Sequence, residues 1–330
     1  MIKQFLQKYL SRQYITQTDS ARKDKPGQED RLDGKIFISA KALIAMRCMI
    51  QNTPSRLKKI RSKQMGQYFS PFKGRGMEFD EVRLYQAGDD VRNLDWRVTA
   101  RTGKAHTKLY REERERAVLL WIDFQRSMYF GTRGSFKTVV AAKAAAHVAW
   151  SALKRGDRLG YLLFNEGHHI EQRPKGGKWS VLHFLQQVAD ATMNQAHYVE
   201  STELPPIEQA MQRLRKVALP GSKIILLSDF REFDQKAMRP LASLAKHNDI
   251  VIIFIYDWIE QTLPPDGIYR FSEGDKYISL DTDNKDTSMR YAQRFEHRQQ
   301  QLQSFCKKHA IHFSTCSTES DVAAIMANTC

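Results

Sequence analysis

The fold is decided by six consecutive apolar residues that end directly on Asp123, namely Ala117-Val118-Leu119-Leu120-Trp121-Ile122. Shorter or similar apolar runs follow along the chain at residues 159–164, 224–227, 250–256 and, more faintly, 311–313. These runs do not alternate polar with apolar residues. Solid apolar runs of this length are typical of strands that are buried on both faces. They therefore predict a mostly parallel sheet.

Helical stretches separate the predicted strands. A segment rich in Ala and Val at residues 136–155 predicts a helix that is buried on nearly every side, with Ser135 as its N-cap and Gly156 as its stop. Helical spacing also predicts helices at residues 39–51, 179–193, 207–216, 235–246 and 288–309. Alternating strands and helices predict a doubly wound α/β domain with helices on both faces. Ligands of such domains bind beyond the carboxyl ends of the strands.

Composition and charge divide the chain into three predicted segments. The 330 residues are 42% hydrophobic and 27% charged, which is typical of a globular protein. The net charge is +15, and residues 1–116 hold 26 basic and 14 acidic residues, so most of the excess precedes the first strand. We predict an N-terminal helical and basic segment with a linker at 1–54, a signature segment at 55–116, which we expect to form a small β-rich insertion, and the α/β domain at 117–330.

Cysteine usage and hydropathy indicate the compartment. The four cysteines show no C-x-x-C spacing, and no run approaches the roughly 18 apolar residues that span a bilayer. Cysteines without a disulfide framework are typical of a reducing compartment. We therefore expect a cytoplasmic protein without a membrane span.

A basic patch lies in the second segment and consists of Arg56, Lys58, Lys59, Arg61 and Lys63. Tyr68 and Phe69 follow it closely, and basic residues near aromatic ones suit nucleic acids, which offer phosphates and bases. An anionic surface is a related alternative, and a simple solvated face is another. Because the excess charge lies outside the α/β domain, an acidic protein partner is favoured over nucleic acid.

Polar residues at two predicted strand ends form a candidate metal site. Asp123, Gln125 and Ser127 follow the first apolar run, and Asp229 follows the third. Their oxygen atoms could bind a hard cation such as Mg²⁺. The pattern resembles the metal-ion-dependent adhesion site of von Willebrand factor A domains, in which a serine stands where this chain has Gln125. The alternative is that the two aspartates cap loop amides.

A second cluster of charged residues precedes the α/β domain. It comprises Glu78, Arg83, Tyr85, Gly88, Asp89, Asp90, Arg92, Asp95, Trp96 and Arg101. With Arg97, the cluster holds four arginines and four acids, which favours an ion-pair lattice because each carboxylate has a possible bidentate partner. The alternative is a metal-dependent hydrolase, in which Asp89, Asp90 and Asp95 would hold two metal ions.

This cluster resembles the signature of the bacterial domain-of-unknown-function 58 family, which reads G-x-G-x-E-F, R-x-Y, G-D-D-x-R-x-I-D-W and A-R. Residues 155–160 resemble that family's R-G-D-x-V-G turn. The resemblance implies a von Willebrand A-like fold and a protein-binding module that is not an enzyme. It also implies that the protein acts with a MoxR-type AAA+ ATPase in chaperone-like assembly or maturation of a client protein. The sequence shows no phosphate loop and no nucleophile elbow, so we predict no catalytic residue.

Overall fold

The computed structural model describes residues 32–51, 77–112, 115–193, 206–263, 267–273, 276–281 and 285–329. The chain divides into two compact units, one of Ile60–Glu115 and one of Met1–Lys59 with Arg116–Cys330. The basic patch at residues 56–63 lies outside the described residues, so its interpretation stays a prediction. Within the described ranges, no helix combines the length and the apolar character needed to cross a membrane.

The helices and strands are numbered in chain order. The helices are α1 (Ala40–Gln51), α2 (Trp96–Thr102), α3 (Lys137–Lys154), α4 (Lys178–Met193), α5 (Pro206–Val217), α6 (Gln235–Ala245), α7 (Trp258–Gln261), α8 (Lys285–Lys308) and α9 (Val322–Thr329). The strands are β1 (Met77–Leu84), β2 (His106–Glu112), β3 (Ala117–Asp123), β4 (Arg158–Phe164), β5 (His169–Lys175), β6 (Lys223–Ser228), β7 (Asp249–Tyr256), β8 (Ile268–Glu273), β9 (Lys276–Asp281) and β10 (His312–Ser317).

A six-stranded sheet forms the centre of the larger unit, in the order β10-β7-β6-β3-β4-β5. Only β5 runs antiparallel to its neighbour, and the other pairings are parallel. Every residue of β3 is buried, as expected for a central strand covered on both faces. The predicted α/β class with a mostly parallel sheet is confirmed. The edge strand β5 and the hairpin of β8 and β9 were not predicted from the sequence.

Helices cover both faces of this sheet. One core joins the sheet to α1, α3, α4 and α9, and the other joins it to α5, α6 and α8. Helix α1, which the sequence analysis groups with the N-terminal segment, packs on α3: Leu43 is fully buried, and its carbonyl accepts a hydrogen bond from Trp150 Nε1 at 3.1 Å.

At the ends of α3, the predicted N-cap, Ser135, is wrong and the predicted stop, Gly156, is correct. Phe136 precedes the helix without a side-chain cap, because the Ser135 hydroxyl donates to the Gly34 carbonyl instead. The predicted stop is correct, since Gly156 follows the helix at φ +76°, where L side chains are strained.

The smaller unit is built on a two-stranded antiparallel sheet. Strands β1 and β2 pair from Met77 opposite Glu112 to Leu84 opposite His106. The connection between them contains a 3₁₀ turn, Val91–Asn93, and the short helix α2. Gly88 lies in this connection at φ +108°, a conformation that favours glycine.

Candidate functional site

The order of the strands marks one crevice on the large sheet. The chain passes from β3 to β4 on one side and later returns to β6 on the other side of β3. The carboxyl ends of β3 and β6 therefore border a topological switch point, where doubly wound sheets bind their ligands. Asp123 ends β3, and Asp229 directly follows β6. The structure thus brings together the two carboxylates that the sequence analysis paired.

Asp123 is fully buried, and both of its oxygen atoms accept hydrogen bonds. Oδ1 accepts from the Gln125 amide at 2.8 Å, and Oδ2 accepts from the Ser228 hydroxyl at 2.6 Å. Burial, followed by the negative charge of Asp229, raises the pKa of Asp123 well above its ordinary value, despite these hydrogen bonds. Burial and the nearby charge of Asp229 thus disfavour the ionised form of Asp123 more than its two hydrogen bonds favour it.

Asp229 is equally buried, but its environment is cationic. Its Oδ2 lies 2.7 Å from Lys137 Nζ and 3.2 Å from Arg231 Nε. Burial acts to raise the pKa of Asp229, but the positive charges of Lys137 and Arg231 outweigh it and hold that pKa well below its ordinary value. The pKa values of these two carboxylates at neighbouring strand ends are therefore shifted in opposite directions.

A buried lysine connects this site to helix α7. Lys137, the first residue of α3, is fully buried, and its Nζ also donates to Glu260 Oε1 at 2.8 Å. Arg231 forms a second ion pair with the same Glu260 oxygen. Burial acts to raise the pKa of Glu260, but Lys137 and Arg231 lower it overall. Two cations thus balance the two carboxylates, Asp229 and Glu260, inside the protein.

Asp257 is a third buried aspartate at this edge and directly follows β7. It accepts hydrogen bonds from the amide and hydroxyl of Thr132, from the Thr318 hydroxyl at 2.7 Å and from the Ile259 amide at 3.1 Å. It therefore joins the loop before α3 to the chain after β10. Gly134 lies in that loop at φ +77°, and a Cβ there would lie 2.8 Å from the Thr318 carbonyl oxygen.

Gln125 and Ser127 lie at the same edge, but within the described residues their side chains form no hydrogen bond to either aspartate. The Gln125 side chain donates to Glu232 Oε2 at 3.4 Å. Ser127 is half-buried in the 3₁₀ turn Arg126–Met128, and its hydroxyl makes no hydrogen bond within the described part of the chain. The next carboxylate along the edge, Glu166 after β4, accepts from the Arg126 amide at 2.6 Å, and burial raises its pKa.

These contacts do not suit a magnesium ion. The oxygens of Asp123 are engaged by an amide and a hydroxyl, and a lysine ammonium contacts Asp229, whereas Mg²⁺ requires a nearly octahedral set of oxygen ligands. In the described residues, no group of three or more His, Cys, Asp or Glu side chains could hold a metal ion. The predicted magnesium site stays a prediction, and the geometry argues against it.

A strained residue shapes the loop after β6. Phe230 adopts φ +50°, a left-handed conformation that costs on the order of 1–3 kcal/mol for a residue other than glycine. Its amide donates to the Ser228 hydroxyl at 2.9 Å, and its buried ring packs edge-on against Phe233. The turn lies directly between Asp229 and Arg231, the two residues that meet in the ion-pair cluster.

Comparison with known proteins places this sequence in a family. The family described as "Protein of unknown function DUF58" matches residues 81–303, which is more than half of the chain. The chain belongs to this family. Uncharacterized protein Rv1480 of Mycobacterium tuberculosis and uncharacterized protein Mb1516 of Mycobacterium bovis are each 32% identical over 202 residues. These alignments cover 61% of this chain and 62% of the length of each relative.

Two solved structures resemble the DUF58 chain in part. The match to BatB from Bacteroides thetaiotaomicron, a conserved hypothetical protein, covers 64% of this chain and 95% of the BatB chain, with 14% identity and a TM-score of 0.39. The match to an aerotolerance-related membrane protein from Bacteroides fragilis covers 64% of this chain and 98% of that protein's chain, with 15% identity and a TM-score of 0.37.

The signature segment of the DUF58 chain uses its aspartates mainly to hold its own backbone. Asp89 pairs with Arg83 at 2.6 Å and also accepts from the Gln86 amide. Asp90 accepts from the Arg92 amide at 3.0 Å. Asp95 caps α2 by accepting from the amides of the second and third helical residues, and the hydrogen bond from the Val98 amide is the largest cause that lowers its pKa.

Of the predicted ion-pair lattice, the described residues show the pair of Arg83 with Asp89, and Lys108 adds an ion pair to Asp95 at 3.7 Å, so the full lattice stays a prediction. Arg92 and Arg101 are exposed and form no ion pair within the described ranges, and Asp90 instead accepts from the backbone amide of its own turn. Glu78 lies on β1, the Tyr85 amide donates to the Ala105 carbonyl, and Trp96 begins α2 with its side chain 71% exposed. The cluster of Asp89, Asp90 and Asp95 serves these turns, and its hydrolase role stays a prediction.

The sequence did not reveal four charged residues that lie near Asp123 and Asp229 at the carboxyl edge of the large sheet. They are the cations Lys137 and Arg231 and the acids Asp257 and Glu260. Asp257 follows an apolar run in the same way as Asp123, so the rule that selected Asp123 also selects Asp257. Glu260 shows a local signal too, because Asp257 and Glu260 form a capping box at the start of α7. Lys137 has no such signal, since it lies 92 residues from Asp229 in the sequence.

Proposed function

We propose that this chain is a protein-binding module without enzymatic activity, and that its partner contacts the carboxyl edge of the large sheet. The observation that carries the proposal is the pair of buried carboxylates, Asp123 and Asp229, at the topological switch point between β3 and β6. Loops from five parallel strands meet at this edge, and such loops are where open α/β sheets bind their ligands.

The proposal includes a von Willebrand A-like fold with a degenerate adhesion site. The supporting observations are the position of Asp123 and Ser127 after the first strand and of Asp229 after a neighbouring strand. In this version of the site, the ammonium of Lys137 supplies the positive charge beside Asp229 that a metal ion would otherwise supply. We therefore propose that partner binding does not require Mg²⁺.

The proposed partner is a MoxR-type AAA+ ATPase, and the proposed role is chaperone-like assembly or maturation of a client protein in the cytoplasm. The support is the resemblance of the signature segment to its family. An edge that carries its own counter-ions suits a constitutive contact with a protein, because it needs no ion from solution to balance Asp229.

The test is direct binding of the purified chain to the purified AAA+ protein without nucleotide. Ser127→Arg places a bulky cation at the carboxyl edge, and Ser243→Arg makes the same change at an exposed position on α6. We expect Ser127→Arg to weaken binding strongly and Ser243→Arg to leave it unchanged. Equal affinity of both variants and the wild type would refute the edge as the contact face.

The same assay tests the role of metal. We expect equal affinity in Mg²⁺ and in EDTA for the wild type, because Lys137 already neutralises Asp229. Loss of binding in EDTA, together with loss in Asp123→Ala, would show that a bridging cation is needed and would overturn the metal-free version while leaving protein binding intact.

A further inference from the structure

A cavity of about 580 Å³ lies between the loop after β6 and helix α8. Its wall contains four arginines and one histidine, which are Arg231, Arg290, Arg294, His297 and Arg298. Within the described part of the chain, no carboxylate lines this cavity. A wall rich in guanidinium groups attracts anions, and a guanidinium group can bind a carboxylate or a phosphate with two hydrogen bonds.

The internal ion pairs leave part of this positive charge unbalanced. Lys137 and Arg231 are balanced by Asp229 and Glu260, and these four groups form a neutral set. Arg298 is additional to that set. Its guanidinium carbon lies 5.5 Å from the centre of the Phe254 ring and 5.6 Å from that of Phe295, and its buried Nε has no hydrogen-bond partner within the described residues.

Arg298 lies in a largely buried and mainly cationic environment, although the negative charges of Glu260 and Asp229 act on it and favour its charged form. Burial and then the positive charge of Arg231 lower the pKa of Arg298. Arg294, one turn earlier on α8, is exposed and forms no ion pair within the described ranges. An anion in the cavity would give Arg294 an ion-pair partner and would offer a hydrogen-bond acceptor to Arg298. The two side chains therefore define the part of the cavity that lacks a partner.

The spacing of these arginines indicates the form of the anion. Residues four apart on an α-helix are separated by about 6 Å along its axis. Alternate side chains on one face of an extended chain are separated by about 6.5 Å. An extended segment with acidic residues at every second position therefore matches the spacing of Arg294 and Arg298. The cavity runs along a helix and is open to solvent, so a chain can lie along it.

We propose that this arginine-lined cavity binds an acidic segment of a protein partner, whose alternate Asp or Glu side chains pair with Arg294 and Arg298. The proposal rests on the protein-binding role proposed above and specifies the chemistry of the partner. The segment would bind beside the carboxyl edge, since Arg231 belongs both to the wall of the cavity and to the ion-pair cluster with Asp229.

The experiment measures fluorescence anisotropy of a labelled peptide of alternating Glu and Ser residues with the full chain. Loss of one bidentate ion pair predicts roughly tenfold weaker binding for Arg294→Gln. Arg239→Gln is the matched control, because Arg239 is an exposed arginine on α6 that does not line the cavity. We expect the control to bind as the wild type does, and a peptide with Gln in place of Glu not to bind.

Several outcomes would overturn the proposal. They are an equal loss in Arg239→Gln, no binding of the acidic peptide, or tight binding of inorganic tripolyphosphate through Arg294 while the peptide does not bind. Arg294→Gln carries the test because Arg298 also packs on aromatic rings and its loss could affect folding. If the AAA+ partner binds Arg294→Gln normally but fails to bind Ser127→Arg, the acidic-segment proposal fails and the proposed function stands. If the peptide binds through Arg294 but the partner does not bind, the proposed function fails instead.

Discussion

The carboxyl edge of the large sheet and the signature loop of the smaller unit contain the same residue types but use them differently. At the edge, Asp229 is buried and pairs with Lys137, which lies 92 residues away in the sequence, as well as with the nearby Arg231. In the signature loop, Asp95 accepts hydrogen bonds from amides two and three residues away. The edge therefore depends on the whole fold, whereas the loop depends on its own turn. This difference predicts effects of very different size when a residue is replaced.

Replacement of Lys137 is expected to give the largest loss of stability. Lys137→Met removes the ammonium that lies between Asp229 and Glu260 and leaves two buried carboxylates with Arg231 as their nearest cation. Removing one partner of a buried ion pair costs about 3–5 kcal/mol. We expect the free energy of unfolding, measured by urea denaturation, to fall by about that amount.

The control for Lys137 is Lys236→Met, which changes an exposed lysine on α6 in the same way. We expect that variant to lie within about 0.5 kcal/mol of the wild type. The smaller variant Lys137→Ala opens space between two ionised carboxylates, so we also expect Mg²⁺ to raise its melting temperature while leaving that of the wild type unchanged. A Lys137→Met protein as stable as the control would contradict the role of Lys137 as an internal counter-ion.

The two aspartates at neighbouring strand ends provide the next comparison. Asp229→Asn removes the charge that balances Lys137 and Arg231, and we expect it to cost about 3 kcal/mol. The raised pKa of Asp123 shows that its ionised form is disfavoured, and an asparagine resembles the neutral form in shape and charge, so we expect Asp123→Asn to cost less than about 1 kcal/mol. Unfolding free energies measured by denaturant titration would distinguish these outcomes. Equal losses in both variants would show that the two carboxylates carry the same charge.

The pH dependence of stability provides an independent test of the same pair. Because the pKa of Asp229 is lower in the folded state, its contribution is present above the unfolded value of about 3.9 and is lost as the pH falls below it. The raised pKa of Asp123 acts in the opposite direction, since stability declines as the pH rises from about 4 towards the folded value. We therefore expect Asp229→Asn to flatten the dependence of the unfolding free energy on pH below about pH 4, and Asp123→Asn to flatten it above about pH 4.

The same distinction between local and distant contacts explains which strands and site residues can be predicted from the sequence. The buried strands β3, β6 and β7 are visible as apolar runs, because each is covered on both faces. The edge strand β5 is mostly exposed and contains charged residues, so it carries no apolar pattern and was not predicted. Asp123 and Asp229 could be located because Asp123 ends one of these visible strands and Asp229 directly follows another.

The charge state of the candidate site could not be predicted in this way. Lys137 begins a helix whose other residues are mostly Ala and Val, and nothing in its neighbourhood in the sequence indicates that its ammonium is buried. Its two partners lie 92 and 123 residues away. Whether a lysine faces solvent or neutralises a buried acid is decided by how α3 packs on the sheet, and that packing is a property of the folded chain.

The smallest effect is expected in the signature loop. Asp95→Ala removes the side-chain oxygen that accepts from the Arg97 and Val98 amides, so these amides should exchange their hydrogens faster. Asp95→Asn keeps an acceptor and is the matched control, with exchange close to that of the wild type. Because the contacts are local, hydrogen exchange in the strands of the large sheet should not change. Faster exchange in β3 or β6 of Asp95→Ala would contradict the local role, since it would show that this aspartate supports the larger unit as Asp229 does.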